Sequence, residues 1–211
     1  MNMHWEILSK DQRILFGKLA FLRKFNAYLA GGTALAIHLG HRTSEDFDFY
    51  MSKEFNSEML SSSMRRLLHG FVRSQVAYGT VSGDCKKVHI SCFYYDYPLI
   101  KPLVRDRHVD LASVEDIGAM KLIAISQRGK RRDFLDVYTL SKMYGLDELM
   151  RWAIKKYRNI DSYILLKGLT YFEDADNDAT ARGFELFKMV EWEKVKKYIS
   201  NETFRLTKKL L

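Results

Sequence analysis

The sequence predicts an α+β protein: a small mixed sheet flanked by helices over residues 1–112, followed by a C-terminal helical bundle over 113–211 that closes a cleft against it. Three observations carry this expectation. Runs with the two-residue period of strands occur only in the first half. Helical periodicity, with short polar or glycine-containing turns, governs the whole second half. No linker is long or polar enough to let the halves move far apart, so they are expected to pack on each other.

Composition narrows the class. Of 211 residues, 47% are hydrophobic, enough for a packed core, and with only two prolines and twelve glycines the chain is neither disordered nor collagen-like. No apolar run approaches the roughly 18 to 20 residues of a membrane span, and Met1 to Lys10 lacks the apolar centre of a secretory signal, so a cytoplasmic protein with no membrane contact is expected. Two cysteines, Cys85 and Cys92, fit a reducing compartment better than a secreted scaffold. The net charge of +8 favours polyanionic partners such as nucleotides or RNA. It is spread evenly, with 15 basic against 11 acidic residues up to Ala112 and 19 against 15 beyond it, so there is no basic tail.

Taken in order, Asp11 to Phe25 places Leu15, Leu19 and Leu22 on one stripe and reads as an amphipathic helix ending near Asn26. Ala27 to Ala30 is a short strand, Gly31-Gly32 a tight turn, and Thr33 to Leu39 a helix closed by Gly40. Asp46 to Met51 alternates acid and aromatic with the period of a half-buried strand, so Asp46 and Asp48 share a face. Ser52 or Asn56 caps a helix through Leu68, and Gly70 ends it. Phe71 to Thr80 and Val88 to Tyr95 read as a hairpin about Ser82-Gly83-Asp84, with Val88, Ile90 and Cys92 on one face. Pro98 and Pro102 interrupt regular structure before a strand-like His108 to Leu111. Ser113 to Asp116 spells a capping box, after which helices are expected over 114–127, 133–144, 147–157, 161–172 and 191–210.

The segment richest in chemistry is Gly31-Gly32-Thr33 followed twelve residues later by Asp46-Phe47-Asp48. A glycine pair before a helix lets backbone N–H groups approach a phosphate, and the helix N-terminus adds positive dipole. Thr33 can add a hydroxyl. Asp46 and Asp48 lie about 6.6 Å apart along a strand, close enough to share divalent ions, and magnesium prefers such hard oxygen ligands. Taken singly, a glycine turn and two solvated carboxylates on an edge strand are commonplace. Acids are depleted in strands, however, so their alternation with two phenylalanines just after a phosphate-compatible turn needs a reason. Lys121 interrupts the apolar run from Ile117 to Ile125, which suits a lysine directed into a cleft. Asp133 and Asp136 fall on one helix face, where capping and surface pairing with Arg131 or Arg132 would account for them.

With these residues in view, the stretch YLAGGTALAIHLGHRTSEDFDFY resembles the nucleotidyltransferase toxins of the AbiEii/AbiGii family, part of the DNA polymerase beta-like superfamily. The similarity continues through YPLIKPL, AMKLIAISQRGKRRDFLDVYTL and LLKGLTYFEDAD, covering nearly the whole chain. It implies a nucleotidyltransferase sheet and a nucleoside triphosphate donor held at Gly31, Gly32 and Thr33, with Mg2+ on Asp46 and Asp48. It also implies roles for Lys121 and for Asp133 or Asp136: the ammonium suits phosphate, and an aspartate could orient it or accept the acceptor's proton. The acceptor would be a hydroxyl of RNA, a transfer RNA 3' end among them, or of a protein. The setting would be a bacterial toxin–antitoxin or abortive-infection pair with a cognate antitoxin. The alternative is a catalytically silent nucleotide- or RNA-binding module of the same fold.

Ser91 stands where polymerase-like enzymes often carry a third strand carboxylate, with Asp96 out of register, so one well-held magnesium and a looser second are expected. Arg42, beside His41, is placed at the phosphate pocket. Arg128, Lys130, Arg131 and Arg132 form either a clamp for triphosphate or RNA backbone, or a solvated turn. Asp174, Asp176, Asp178 and Glu185 match positions of a calcium loop, but Ala179 stands where a glycine is required, so they read as a solvated acidic loop. His38, His41, His69, His89 and His108 lack paired metal-ligand spacing and read as packing or surface residues, and the cysteines as plain thiols.

Overall fold

The structure is a computed structural model that describes residues 3–178, 185–187 and 190–210. The chain divides into two compact units, Met1–Ser113 and Val114–Leu211.

In the first unit, α1 (Lys10–Lys18) starts on a reciprocal cap: Gln12 N donates to Ser9 Oγ at 3.2 Å and Ser9 N donates to the Gln12 side chain at 2.9 Å. The single helix expected over 11–25 is instead α1 followed by a 3-10 segment, Leu19–Phe25. The apolar spacing explains the change. Leu15 to Leu19 is a four-residue step suited to an α-helix, whereas the buried Leu19 and Leu22 are three apart, the spacing that a three-residue turn brings onto one side. Asn26, in the left-handed region at φ 55, ends the segment.

Strand β1 (Tyr28–Ala30) runs straight into α2 (Gly31–Leu39), so the glycine pair is the first turn of the helix and no separate turn precedes it. Then come β2 (Phe47–Met51) and α3 (Ser57–Leu67). Asn56, one of two caps expected, accepts from Met59 N at 2.9 Å. Next are β3 (Phe71–Ala77), β4 (Thr80–Cys85), β5 (Val88–Tyr94) and β6 (Asp110–Leu111). They form one mixed sheet in the order β3-β4-β5-β2-β1-β6, with β2 parallel to β5 and antiparallel to β1. Phe47, Phe49, Met51, Val81, Ile90 and Cys92 are buried, α2 packs on β1 and β2, and α3 packs on β3 and β4.

The two-strand hairpin about Ser82-Gly83-Asp84 is corrected to three strands, with those residues inside β4. The turns lie on either side, where Gly79 and Lys86 take φ of 63° and 57°. Gly83 answers crowding: a Cβ there would sit 2.4 Å from the Val72 carbonyl oxygen and 2.5 Å from the Phe71 ring.

The second unit contains α4 (Val114–Arg128), α5 (Arg131–Tyr144), α6 (Leu146–Lys156), α7 (Ser162–Thr170), the short α8 (Glu173–Asp176) and α9 (Trp192–Leu210). Helix α4 packs on α5, α6 and α7, and α9 packs on α5, α6 and α7. Two glycines let the backbones close up: a Cβ at Gly118 would meet the Trp152 ring at 2.9 Å, and one at Gly168 would meet Ser126 Cα at 2.8 Å. Among the described residues no helix is long and apolar enough to cross a membrane.

The acidic segment is partly helical rather than an open loop. In it Asp176 accepts from Trp192 Nε1 at 2.5 Å and from Lys196 at 3.1 Å, and these bonds hold its carboxyl below the usual carboxylate range. Ala179 lies outside the described residues.

Candidate active site

Strand alternation sets the first group of residues. Along β2 the side chains of Phe47, Phe49 and Met51 are buried, whereas Asp48 and Tyr50 on the opposite face are partly exposed, as is Asp46 just before the strand. Asp48 sits between Ala30 of β1 and Ser91 of β5. Because Ala30 is the last residue before α2, this pairing brings the Asp48 carboxylate against the first turn of that helix.

The glycine pair makes that approach feasible. Gly31 takes φ +67, and a Cβ on it would lie 2.8 Å from Asp48 Oδ2. A Cβ on Gly32 would lie 2.6 Å from Arg42 Nη2 and 3.3 Å from Ser44 Oγ. A carboxylate and a guanidinium therefore occupy the spaces that side chains at 31 and 32 would fill. The first-turn N–H groups of α2 have no partner inside the helix and carry its positive dipole.

Thr33 and Arg42 are both buried beside the glycine pair. Thr33 is buried, and its hydroxyl donates to the Asp46 carbonyl oxygen and lies 2.8 Å from Ser44 Oγ. Its hydroxyl thus fixes the segment leading into β2 instead of being presented outward for a phosphate. Arg42 is only 1% exposed and donates to the Thr43 carbonyl oxygen at 2.9 Å, packed beneath Gly32. From inside, it braces the glycine turn.

Ser91 is the direct β5 partner of Asp48, so the place beside that carboxylate on the sheet holds a buried hydroxyl and not a third acid. Cys92, one residue on, is fully buried; burial first, and the Asp48 charge second, push its thiol far above the usual range. It stays protonated and is no nucleophile. Cys85 is also a free, buried thiol. His38 bonds the Ala112 carbonyl oxygen at 2.8 Å and His89 bonds Asp84 at 2.8 Å, which fits their reading as packing and surface residues.

In the second unit, Lys121 Nζ lies 2.7 Å from Asp133 Oδ1 and 2.7 Å from Asp136 Oδ2. The i, i+3 spacing on α5 turns both acids toward α4. Both aspartates are fully buried, which corrects the surface-pairing account of them. Arg128, half exposed, reaches Asp133 Oδ2 through Nε at 3.3 Å, so two cations balance two carboxylates. Arg131 lies over the Trp192 ring at 4.8 Å, and its backbone N–H donates to Asp178 at 3.2 Å. The basic run is therefore partly tied into the fold, not a uniformly solvated turn.

The sequence reading missed one ionic pair: Lys156 of α6 and Asp116 of α4, both fully buried, 2.7 Å apart. Asp116 carries a signal only as an acid near a helix start, and a partner forty residues away leaves no local trace.

Among the described residues no group of three or more His, Cys, Asp or Glu side chains could hold a metal. Asp46 and Asp48 nevertheless suit magnesium, which is usually held by one or two carboxylates and completed by water and substrate phosphates. The Gly31 cradle leaves Asp48 Oδ2 bordering the α2 N-terminus, where such phosphates would be bound.

Comparison with known proteins bears on the family and the fold. The family model described as nucleotidyl transferase AbiEii toxin, Type IV TA system, matches residues 13–84 and 86–199. The uncharacterised protein aq_aa25 of Aquifex aeolicus (strain VF5) is 37% identical over 209 residues, spanning 92% of this chain and 95% of that protein. Among solved structures, a Helicobacter pylori protein provisionally assigned as a nucleotidyltransferase is similar at 20% identity and a TM-score of 0.59, over 96% of this chain and 97% of its own. The nucleotidyltransferase toxin MenT4 (Rv2826c) of Mycobacterium tuberculosis H37Rv is similar at 13% identity and a TM-score of 0.53, over 91% of this chain and 82% of its own. These structures establish the shared fold, and the family match extends over most of the sequence. The chain belongs to the AbiEii nucleotidyl transferase toxin family.

Proposed function

We propose that this protein is the toxin of a bacterial toxin–antitoxin or abortive-infection pair. It would transfer a nucleoside monophosphate from a nucleoside triphosphate to a hydroxyl of RNA, with a transfer RNA 3' end as one such acceptor, or of a protein. The observation that carries the reading is the Asp46 and Asp48 pair beside the glycine-opened N-terminus of α2.

In this reading the first-turn N–H groups at Gly31 and Gly32 bind the triphosphate, with the helix dipole favouring its negative charge. Asp46 and Asp48 hold Mg2+. When bound, that ion neutralises charge on the phosphate oxygens and on the leaving pyrophosphate. Thr33 and Arg42 keep Asp46 and Gly32 in place from behind. The acceptor hydroxyl oxygen bonds to the α-phosphorus, the bond from that phosphorus to the bridging oxygen breaks, and pyrophosphate departs with the electron pair. On the family pattern Lys121 carries charge suited to phosphate, and Asp133 or Asp136, buried against it, orients its ammonium, while the hydroxyl proton passes to solvent.

Incubation with each α-labelled nucleotide, total cellular RNA and protein tests donor and acceptor together. Label is expected in one macromolecular fraction and absent with Asp48→Ala; full labelling by that variant refutes the assignment. Ser91 beside Asp48 favours a second reading, a binding module without turnover. Magnesium-dependent nucleotide binding with no product from any donor would establish that one instead.

A further inference from the structure

The sheet face that carries Asp48 also carries an aromatic strip that none of the transfer chemistry uses. Register places it. Tyr50 follows Asp48 by two residues and Phe93 follows Ser91 by two, and since Asp48 pairs with Ser91 and Tyr50 with Phe93, all four share one face. The strand pairing continues past β5, because Tyr95 N donates to the Met51 carbonyl oxygen at 2.8 Å. The chain then folds back, with Tyr97 N donating to the Tyr95 carbonyl oxygen at 2.9 Å. The rings touch in series: Tyr50 is 5.6 Å from Phe93 and 5.1 Å from Tyr95, and Tyr95 is 4.8 Å from Tyr97.

Core packing accounts for only one end of this face, where the buried Tyr28 ring stacks on Tyr50 at 6.2 Å. The sheet's hydrophobic demand is met on the opposite face by Phe47, Phe49, Met51, Ile90 and Cys92, all fully buried. Tyr50, Phe93 and Tyr95 are partly exposed, and Tyr97 is 43% exposed. The segment after Tyr97 exposes Lys101, Arg105 and Arg107, of which Arg105 is ion-paired with Asp110, while its Asp106 carboxylate accepts from His108 N at 3.0 Å and the Asp96 side chain bonds Tyr94. Exposed aromatic rings in a stretch of chain that also exposes cations are elements that bind unpaired nucleobases and track their phosphates.

We propose that Tyr50, Phe93, Tyr95 and Tyr97 form a stacking platform for unpaired bases of a single-stranded RNA, leading its end toward Asp48. The RNA's role as acceptor rests on the transfer reading above; its binding does not.

The test is fluorescence anisotropy with a labelled short oligoadenylate, without nucleotide, and with the same sequence as a duplex. Stacking is worth about 1–3 kcal/mol per base, so the Tyr95→Ala, Tyr97→Ala double variant is expected to bind the single strand about 5- to 150-fold more weakly per stacked base. The corresponding Phe variants should bind within about twofold of wild type, and duplex binding should be the same for all. Should the double alanine variant not fold, Tyr97→Ala alone, at an exposed position, is read the same way. Wild-type affinity in the alanine variants overturns the proposal, as does equal loss in the phenylalanine variants, which would assign the effect to hydroxyls. Failure of wild type to bind oligoadenylate overturns it too, and label found only on protein alongside that result removes RNA as acceptor as well. Ring-dependent binding without label transfer keeps the platform and refutes the transfer reading, while transfer to RNA with binding indifferent to the rings does the reverse.

Discussion

Two aspartate pairs of similar spacing have opposite surroundings. Asp46 and Asp48 stand two apart at the start of a strand and are partly exposed, and Asp48 Oδ2 borders the glycine-opened end of α2. Asp133 and Asp136 stand three apart on a helix, fully buried, each 2.7 Å from Lys121. The first pair stays in contact with water. The second is buried with a cation placed between its members, and a buried charge left without its partner is costly. The lesson is that an acid pair alone does not say whether it is open to a ligand or built into the core. The secondary structure it rides on, and the cation within reach, decide.

The sharpest way to separate the two regions is by activity against stability. Asp48→Ala is expected to reduce label transfer by about a thousandfold or more, since metal-borne charge stabilisation is worth several kcal/mol, while leaving the urea midpoint nearly unchanged. An unfolded Asp48→Ala protein would erase the distinction. Asp133→Ala should instead lower stability by about 3–5 kcal/mol, because Lys121 and Arg128 lose a shared partner. Asp116→Ala should also lower stability, by removing the carboxylate 2.7 Å from the buried Lys156 ammonium, at a pair the transfer chemistry does not invoke. Urea denaturation reads both, and wild-type stability in either variant would show that its carboxylate is not held as described.

Gly31→Ala probes the boundary between the two behaviours. A φ of +67 and a Cβ 2.8 Å from Asp48 Oδ2 should cost about 1–3 kcal/mol and also reduce transfer by displacing that carboxylate. Loss of stability with full activity would mean that Asp48 can move without consequence.

The smallest effect is expected at an exposed pair. Hydrogen bonding to Arg205 holds the Asp147 carboxyl below the usual range. A carboxylate with a depressed folded-state value contributes stability above its ordinary value and loses it as pH falls through the depressed one. Arg205→Gln should therefore raise the Asp147 titration midpoint seen by NMR, with at most about 1 kcal/mol lost near neutrality and nothing below both midpoints.

Much of the architecture was legible because it is local. Alternation in Asp46 to Met51 marked both a strand and its two faces, and the glycine pair marked the point where backbone and ligand could meet. The helices of the second half follow from periodicity and fall close to their expected bounds. The errors share a cause. Ser82-Gly83-Asp84 has turn composition, yet its glycine is demanded by β3 across the sheet. Nor does the sequence show that the Thr33 hydroxyl bonds a carbonyl thirteen residues on. Asp116 finds its cation forty residues away.

The sequence by itself determined the strand-bearing first half and helical second half, the acid and glycine motif, and the family. These depend on short-range periodicity and on residue chemistry that any folded context must respect. Only the tertiary structure decided which polar groups face outward, which are consumed inside, and that four aromatic rings from two strands and the segment beyond them line up beside Asp48. Those outcomes rest on strand register and helix packing, and a hydrogen bond or ion pair between distant residues is chosen by the fold that brings them together.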